Sequence, residues 1–578
     1  MLLSTSTLLA SLVAAPALLA AASSPSPVAR APNIVFIIVD DQDARQDSIS
    51  TMQNVQRLLV DQGTQFSRFY APISVCCPSR TSFLRAQAAH NTNITSVVAP
   101  WGGWEVFNEK GYNGHYLPSF LQDAGYSTYY TGKLMNGHTV RNFDRLEPEG
   151  WTETDWLLDP QTYNYWNASF SHNGEPVVYH PDEYSTDLVA ERALGHIEKA
   201  TANPDKPFFI GVAPIAPHSH IGIVDHTDQI LFDMPQSAPR HQHLFKDVKL
   251  DYSRASHNPD HPSGASWVKK LEKLNVTNVE YIEEFYRQRL RSLQAVDELV
   301  ESVVKKLEEK GVLDETIIIY TSDNGFEANA GHRRQPGKTL PYEEDINIPL
   351  VVRGPTVPKG LVDSTSVYSL ADLGATILHL AGAVSDYDND GALVPITKEL
   401  RKTIDAEGVK QHHLAEYWVE GVGEGKYGQG LVLTNQTYRA VRVVEGDEIN
   451  FSYAVWCTGE HEIYDLNADP DQMINLAETA VRSESLIKLQ HRLDALLLVL
   501  KTCVGEVCRN PWKTVFPDGS VSSLNAGLEK RFDGYFADLP KVKYSYCDIG
   551  YHRRLEAPFW YDELAFNPKQ KSSFVIQA

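Results

Sequence analysis

The sequence predicts an α/β fold, with a large mixed, mainly parallel sheet flanked by helices and a smaller C-terminal α+β subdomain. Three observations carry this. Unbroken apolar, β-branched runs recur along the first two thirds of the chain, the mark of strands buried on both faces as parallel sheets require. Segments with helical spacing of apolar residues alternate with those runs, the pattern of stacked strand and helix layers. Past SLADLGATILHLAGA the texture changes to polar loops, short alternating strands and one last apolar helix.

The elements follow in order. NIVFIIVDDQD holds the first strand, with Ile34 to Val39 apolar throughout. TYYTGK is a shorter strand. YSTDLVAERALGHIEK is a helix with Ser185 or Thr186 as N-cap and Val189, Ala193 and Ile197 on one stripe. Phe208 to Val212 is the next strand. SLQAVDELVESVVKKLEEKG repeats Leu293, Val296, Val300, Val303 and Leu307 at helical spacing and stops at Gly311 in the C′ position. Thr316 to Thr321 and IPLVVRG are further strands, and LVLTNQTYRAVRVVEG and EHEIYDLNADPDQMINLAE are antiparallel members of the smaller unit, closed by the helix SESLIKLQHRLDALLLVLK. The expected organisation is a signal peptide over 1–22, a catalytic domain over 32–385 and a C-terminal subdomain over 386–578.

With 42% hydrophobic and 22% charged residues over 578 positions, the chain is globular rather than disordered. Lys plus Arg 52 against Asp plus Glu 74 gives a formal charge of -22, which argues against bulk attraction to nucleic acid or an anionic membrane. An anionic ligand must therefore be held by a local cluster. MLLSTSTLLASLVAAPALLAAASS, closing in small residues around Ala20 and Ala22, matches the core and cleavage region of a secretory signal peptide, although a positive n-region is missing. The alternative, a membrane anchor, is disfavoured by the serines and Pro16 that interrupt the run, and no later stretch approaches the roughly 20 apolar residues a span needs. Sequons at Asn93, Asn167, Asn275, Asn435 and Asn450 agree with a secreted or extracellular, N-glycosylated protein without a membrane partner. Of the cysteines, Cys457, Cys503, Cys508 and Cys547 read as structural; a short loop from Cys503 to Cys508 leaves Cys457 and Cys547 as a second pair, one of several open connectivities.

Three constellations carry chemistry. Asp40 and Asp41 end one strand, and Asp323 and Asn324 follow another. Parallel sheets bind ligands beyond those strand ends, and such hard oxygens suit Ca²⁺ or Mg²⁺, whereas no Cys/His cluster has zinc spacing. Arg80, Lys133 in YTGKLMNGH, His218 in APIAPHSH and Lys338 in HRRQPGKTLPYEEDINIPLVVRGP form a cationic set suited to an ester anion and a departing oxygen. The third is Cys76-Cys77-Pro78-Ser79-Arg80, followed by TSFLRA.

That last motif resembles the Cys-x-Pro-Ser-Arg signature of the type I, formylglycine-dependent sulfatases, and the resemblance runs from the Asp-Asp strand to IYDLNADPDQMINLAE, closest to secreted fungal arylsulfatases and the N-acetylglucosamine-6-sulfatase branch. It implies an alkaline phosphatase-like sulfatase fold. It implies conversion of Cys76, rather than Cys77, to formylglycine by the formylglycine-generating enzyme, and one calcium ion held by Asp40, Asp41, Asp323, Asn324 and the formylglycine oxygen at position 76. Arg80 and Lys133 then hold the nucleophile and sulfate, and His218, aided by Lys338, protonates the departing alcohol. The implied activity is hydrolysis of a small sulfate monoester to an alcohol or phenol and inorganic sulfate, with a glucosamine-6-sulfate-type substrate as the alternative inside the family. A phosphoester or phosphonate hydrolase of the wider superfamily is the alternative outside it, and a binding protein with Cys76 unconverted is a third reading. Two positions depart from the family's usual pattern: Leu84-Arg85-Ala86 stands where Leu-Thr-Gly is common, and Met135 stands where many members place a His, with Asn136 and His138 nearby.

Overall fold

Every residue of Asn33–Val39 (β1) is buried, as its unbroken apolar run requires. The computed structural model describes residues 31–223, 230–428, 432–478 and 482–559, so the expected signal peptide, 1–22, lies outside the described residues. Around β1 stand Thr64–Phe66 (β2), Ser127–Gly132 (β3), Glu153–Leu157 (β4), Asn167–His172 (β5), Val178–Pro181 (β6), Phe208–Ala213 (β7), Thr316–Ser322 (β8), Leu350–Arg353 (β9) and Leu361–Asp363 (β10). They form one sheet in the order β10-β2-β9-β8-β1-β7-β3-β4-β5-β6. β8, β1, β7, β3 and β4 run parallel, while β9, in IPLVVRG, and β5 attach antiparallel. The sheet is therefore mixed and mainly parallel at its centre, as the sequence implies.

Ser185–Thr201 (α2) and Val276–Glu309 (α3) cover one face. Val189, Ala193 and Ile197 of α2 and Leu293, Val296, Val300, Val303 and Leu307 of α3 pack with Val35, Ile37 and Val39 in one core. α3 starts earlier than its apolar repeat suggests, at an Asn275 cap that accepts from the Asn278 amide, and Gly311 follows it with φ 72°. The N-cap of α2 is Tyr184, not Ser185 or Thr186. Tyr184 is buried against Trp166, ring centroids 5.0 Å apart, and that packing sets the helix start, leaving both hydroxyls buried and unbonded. On the other face Phe36 stacks at 4.3 Å on Phe83 of Cys76–Arg85 (α1), which packs against Leu370–Ala381 (α4).

The smaller sheet, His412–Tyr417 (β11), Tyr438–Glu445 (β12), Ile449–Trp456 (β13) and His461–Asp465 (β14), is antiparallel throughout. Val441, Tyr453, Val455 and Ile463 of this sheet share a core with Leu493, Leu496 and Leu497 of Glu484–Leu500 (α5). Disulfides join Cys457 to Cys547 and Cys503 to Cys508.

Candidate active site

β1 and β8 pair with Val39 opposite Ser322, so Asp40 and Asp323 leave adjacent parallel strands side by side. Successive strand residues ordinarily point to opposite faces. Asp41 escapes that rule with φ 69°, a left-handed turn Asp tolerates, and its amide donates to Asp323 Oδ1 at 3.2 Å. Lys133 enters after β3 through Gly132, whose φ is 104° and where a Cβ would lie 2.1 Å from the Ala213 carbonyl oxygen. His218 follows β7, its amide donating to the Ile215 carbonyl at 2.9 Å. Cys76 opens α1 and Arg80 lies one turn on.

These side chains form one buried network. Cys76 Sγ is 3.4 Å from Asp40 Oδ1 and 3.4 Å from Lys338 Nζ. Arg80 Nε donates to Asp323 Oδ2 at 2.7 Å, and its Nη2 is 3.7 Å from Asp40 Oδ2. Lys133 Nζ lies 2.5 Å from Asp40 Oδ2 and 3.9 Å from Asp323 Oδ2. Lys338 Nζ lies 2.5 Å from Asp41 Oδ1, Asn324 Nδ2 donates to the same oxygen at 2.7 Å, and His218 Nε2 is 3.6 Å from Asp41 Oδ2. The structure thus brings together Asp40, Asp41, Cys76, Arg80, Lys133, His218, Asp323, Asn324 and Lys338. Burial pushes Asp40 up, but Lys133, His218 and Arg80 outweigh it and hold its carboxyl at about 2. Burial, then Asp40, drives the Cys76 thiol well above its ordinary value, so as a thiol it is an inert nucleophile. Burial and then Lys338 lower His218 to about 4, while its Nδ1 donates to the Ser219 carbonyl at 2.8 Å, leaving Nε2 as the free acceptor.

Two observations bear on a metal. Asp41 Oδ2 and Asn324 Oδ1 are buried and accept no hydrogen bond, and donor atoms of Asp40, Asp41, Cys76 and His218 lie within 4.8 Å of one another. Buried oxygens without donors are costly unless a cation takes them, and hard carboxylate and amide oxygens fit a divalent ion.

Several members of the site went unread in the sequence. Glu424 is buried there, 3.9 Å from Lys338 Nζ, and accepts a hydrogen bond from Ser219 Oγ. With it, Asp40, Asp41 and Asp323 face Arg80, Lys133 and Lys338, a formal excess of one negative charge that a divalent cation reverses. Tyr163 stacks on His218 at 4.1 Å and accepts from Asn136 Nδ2 at 2.6 Å. Arg289 of α3 donates to the carbonyls of Asp41, at 2.6 Å, and Pro217, at 3.4 Å, tying two site loops together. Met135 lies buried beside Thr81 Oγ1 at 3.9 Å, and His138 packs between Trp104 and Trp156 with neither ring nitrogen bonded. Asn136 thus reaches Tyr163, and His138 is core.

Residues 32–383 match the family model described as Sulfatase. The chain belongs to the sulfatase family. It is a sulfuric ester hydrolase on the same family model and on its arylsulfatase relatives. An arylsulfatase of Volvox carteri is 37% identical over 539 residues, covering 89% of this chain and 81% of the relative. The human N-acetylglucosamine-6-sulfatase is 30% identical over 522 residues, covering 83% of this chain and 86% of the relative. A solved structure of BT4656 with its substrate D-glucosamine-2-N,6-O-disulfate shares the fold, with TM-score 0.60, 22% identity, and coverage of 81% of this chain and 97% of that one. Against the usual sulfatase pattern, Arg85 is accommodated by a sandwich of Tyr112 and Tyr387, whose ring centroids lie 3.8 and 3.9 Å from its guanidinium carbon. Ala86 takes φ 49° and ψ 36° as the C-cap of α1, a left-handed position that explains why glycine is common there.

Proposed function

We propose that the chain hydrolyses small sulfate monoesters, aryl sulfates among them, with formylglycine formed from Cys76 and one calcium ion held by Asp40, Asp41, Asp323, Asn324 and the residue at position 76. The observation that carries the reading is the pair of unbonded buried oxygens, Asp41 Oδ2 and Asn324 Oδ1, beside a cysteine flanked by cations. Bound there, calcium supplies a Lewis acid for oxygens of nucleophile and sulfate. The hydrated aldehyde supplies a nucleophile with a second hydroxyl, which a serine lacks.

The chain's own residues do the rest. Arg80 and Lys133 fix Asp40 and Asp323 and give the sulfate a cationic wall. His218 keeps one tautomer because Nδ1–H is committed to the Ser219 carbonyl, so Nε2 is the atom that moves a proton. An ester anion beside it favours its charged form, and Nε2 then protonates the departing oxygen with Lys338 alongside. The glucosamine-6-sulfate alternative draws on the named activity of the human relative. The negative net charge disfavours polymeric polyanions and favours small esters.

The secretory route, with a signal peptide over 1–22, is supported by two disulfides, which suit an oxidising compartment. Among the described residues no helix is long and apolar enough to cross a membrane. The division into 32–385 and 386–578 draws support from the family match ending at 383 and from the core that β12 to β14 share with α5, although Ala415, Tyr438, Trp456 and Tyr464 pack with Tyr70, Ile73 and Tyr342 of the larger unit. Mass spectrometry of protein from a host with a formylglycine-generating enzyme tests the reading: the Cys76 peptide should be about 18 Da lighter than the thiol form, and 4-nitrophenyl sulfate should be turned over only after that change. Full turnover by Cys76→Ser, or after exhaustive chelation with calcium shown absent, overturns it.

A further inference from the structure

We infer that Glu424 is a positioning residue for the leaving-group side of the site, holding Lys338 in place and fixing the Ser219 turn that carries His218. The inference rests on the reading above, in which Lys338 and His218 act on the departing oxygen.

Glu424 comes from GVGEGKYG, outside the matched residues 32–383. The glycines bring it in. Gly425 has φ 73° and its Cβ position lies 2.8 Å from Tyr281 Oη, and a Cβ on Gly423 would lie 2.7 Å from the Gly428 carbonyl oxygen. The Glu424 amide donates to the Pro336 carbonyl at 2.8 Å, so its backbone is joined to the loop that carries Lys338. Its side chain, 4% exposed, bridges Lys338 and Ser219, the residue after His218. One oxygen lies 3.9 Å from Lys338 Nζ. The other accepts from Ser219 Oγ, and the Ser219 carbonyl in turn accepts the Nδ1 proton of His218.

A carboxylate inside a pocket for an anion opposes binding, so Glu424 contributes through what it holds. Lys338 has Asp41 as its nearest carboxylate, at 2.5 Å, and Glu424 as its second, at 3.9 Å. A cation on Asp41 competes with Lys338 for that carboxylate, and Glu424 then remains as the counter-charge. Its contribution falls on kcat for esters whose departing oxygen needs a proton, and is small where the departing phenolate is already stable.

Glu424→Gln keeps an acceptor for Ser219 Oγ and removes the charge. It should lower kcat on an alkyl or sugar sulfate by about tenfold while changing kcat on 4-nitrophenyl sulfate by less than about twofold, with KM within about twofold on both. In a Lys338→Met background the same change should cost nothing further, because the two residues act as one unit. Ser219→Ala cuts the other arm of the bridge and should show the same leaving-group dependence, which keeps the test decisive if the glutamine variant does not fold. Equal losses on both esters, multiplicative losses with Lys338→Met, or an effect confined to KM overturn the inference. If wild-type protein turns over neither ester, the proposed function fails; if it turns over both and Glu424→Gln is flat, this inference alone fails.

Discussion

Replacing Arg80 by Met removes a buried guanidinium from between two carboxylates and leaves volume roughly unchanged. Arg80 is 2% exposed, 2.7 Å from Asp323 Oδ2 and 3.7 Å from Asp40 Oδ2. At an effective dielectric of about 20 those distances correspond to a gross attraction of about 10 kcal/mol. Most of that offsets the desolvation of the guanidinium, and the net cost of breaking a buried pair is about 3 to 5 kcal/mol. Unfolding entropy of about 2.1 cal/mol/K per residue over roughly 500 ordered residues makes each kcal/mol worth about 1 °C, so Tm should fall by about 3 to 5 °C. A divalent ion narrows that deficit. Without Arg80 the acidic excess grows by one charge, so calcium should raise the Tm of the variant by more than it raises that of the wild type, even as sulfate ester turnover is lost. Differential scanning calorimetry with chelator and across a calcium titration reads both effects. An unchanged Tm in chelator, or a calcium-induced rise no larger than wild type, refutes the account of Arg80 as the counter-charge of the acidic cluster.

Ala86→Gly relieves the left-handed C-cap of α1 and should stabilise the protein by about 0.5 to 1 kcal/mol; a denaturant midpoint unchanged or lowered contradicts this. His138 is held neutral by burial, its pKa lowered to about 3 from 6.5. The unfolded chain therefore binds a proton below pH 6.5 that the folded chain refuses, and stability falls as pH drops from 6.5 towards 3. His138→Phe should remove about 2 kcal/mol of the loss seen between pH 7 and 5, checked by urea unfolding at both pH values. In a secretory host, Asn275 and Asn435, which are exposed, should carry glycan. Asn93, whose Oδ1 is buried, and Asn450, whose Nδ2 is committed to Asn467, should not; glycopeptide mapping decides.

The legible parts of this chain are those where one local signal suffices. Apolar runs gave β1, β7 and β8, because a strand buried on both faces has no alternation to confuse it. Asp40, Asp41, Asp323 and Asn324 stood out because they follow such runs, and Cys76 and Arg80 because they lie in one compact motif. Glu424 and Tyr163 were not legible, since neither lies in a motif and each reaches the site only through tertiary packing. The one local hint for Glu424 is its run of glycines, a sign of close backbone approach. Arg289 was hidden for another reason: the apolar repeat begins only at Ser292, so this part of α3 carried no helix signal, and an arginine there reads as solvent-facing although this one is 2% exposed. Ser185 and Thr186 misled because capping preference is weaker than the burial of an aromatic ring at Tyr184.

The place of β1 in the sheet sets a schedule for biosynthesis. β1 is synthesised first and sits in the middle, hydrogen-bonded to strands beginning at Phe208 and Thr316. At about 5 to 20 residues per second, NIVFIIV waits roughly 10 to 30 s after emerging before its first partner follows it out of the ribosome. During that interval an apolar strand stands with both edges open, the condition that most favours pairing with another chain. Contacts across so many intervening residues also make the nucleus slow to close. Shielding of Asn33–Val39 while the next strands are made is therefore a demand the sheet order places on folding, separate from the chemistry of the site.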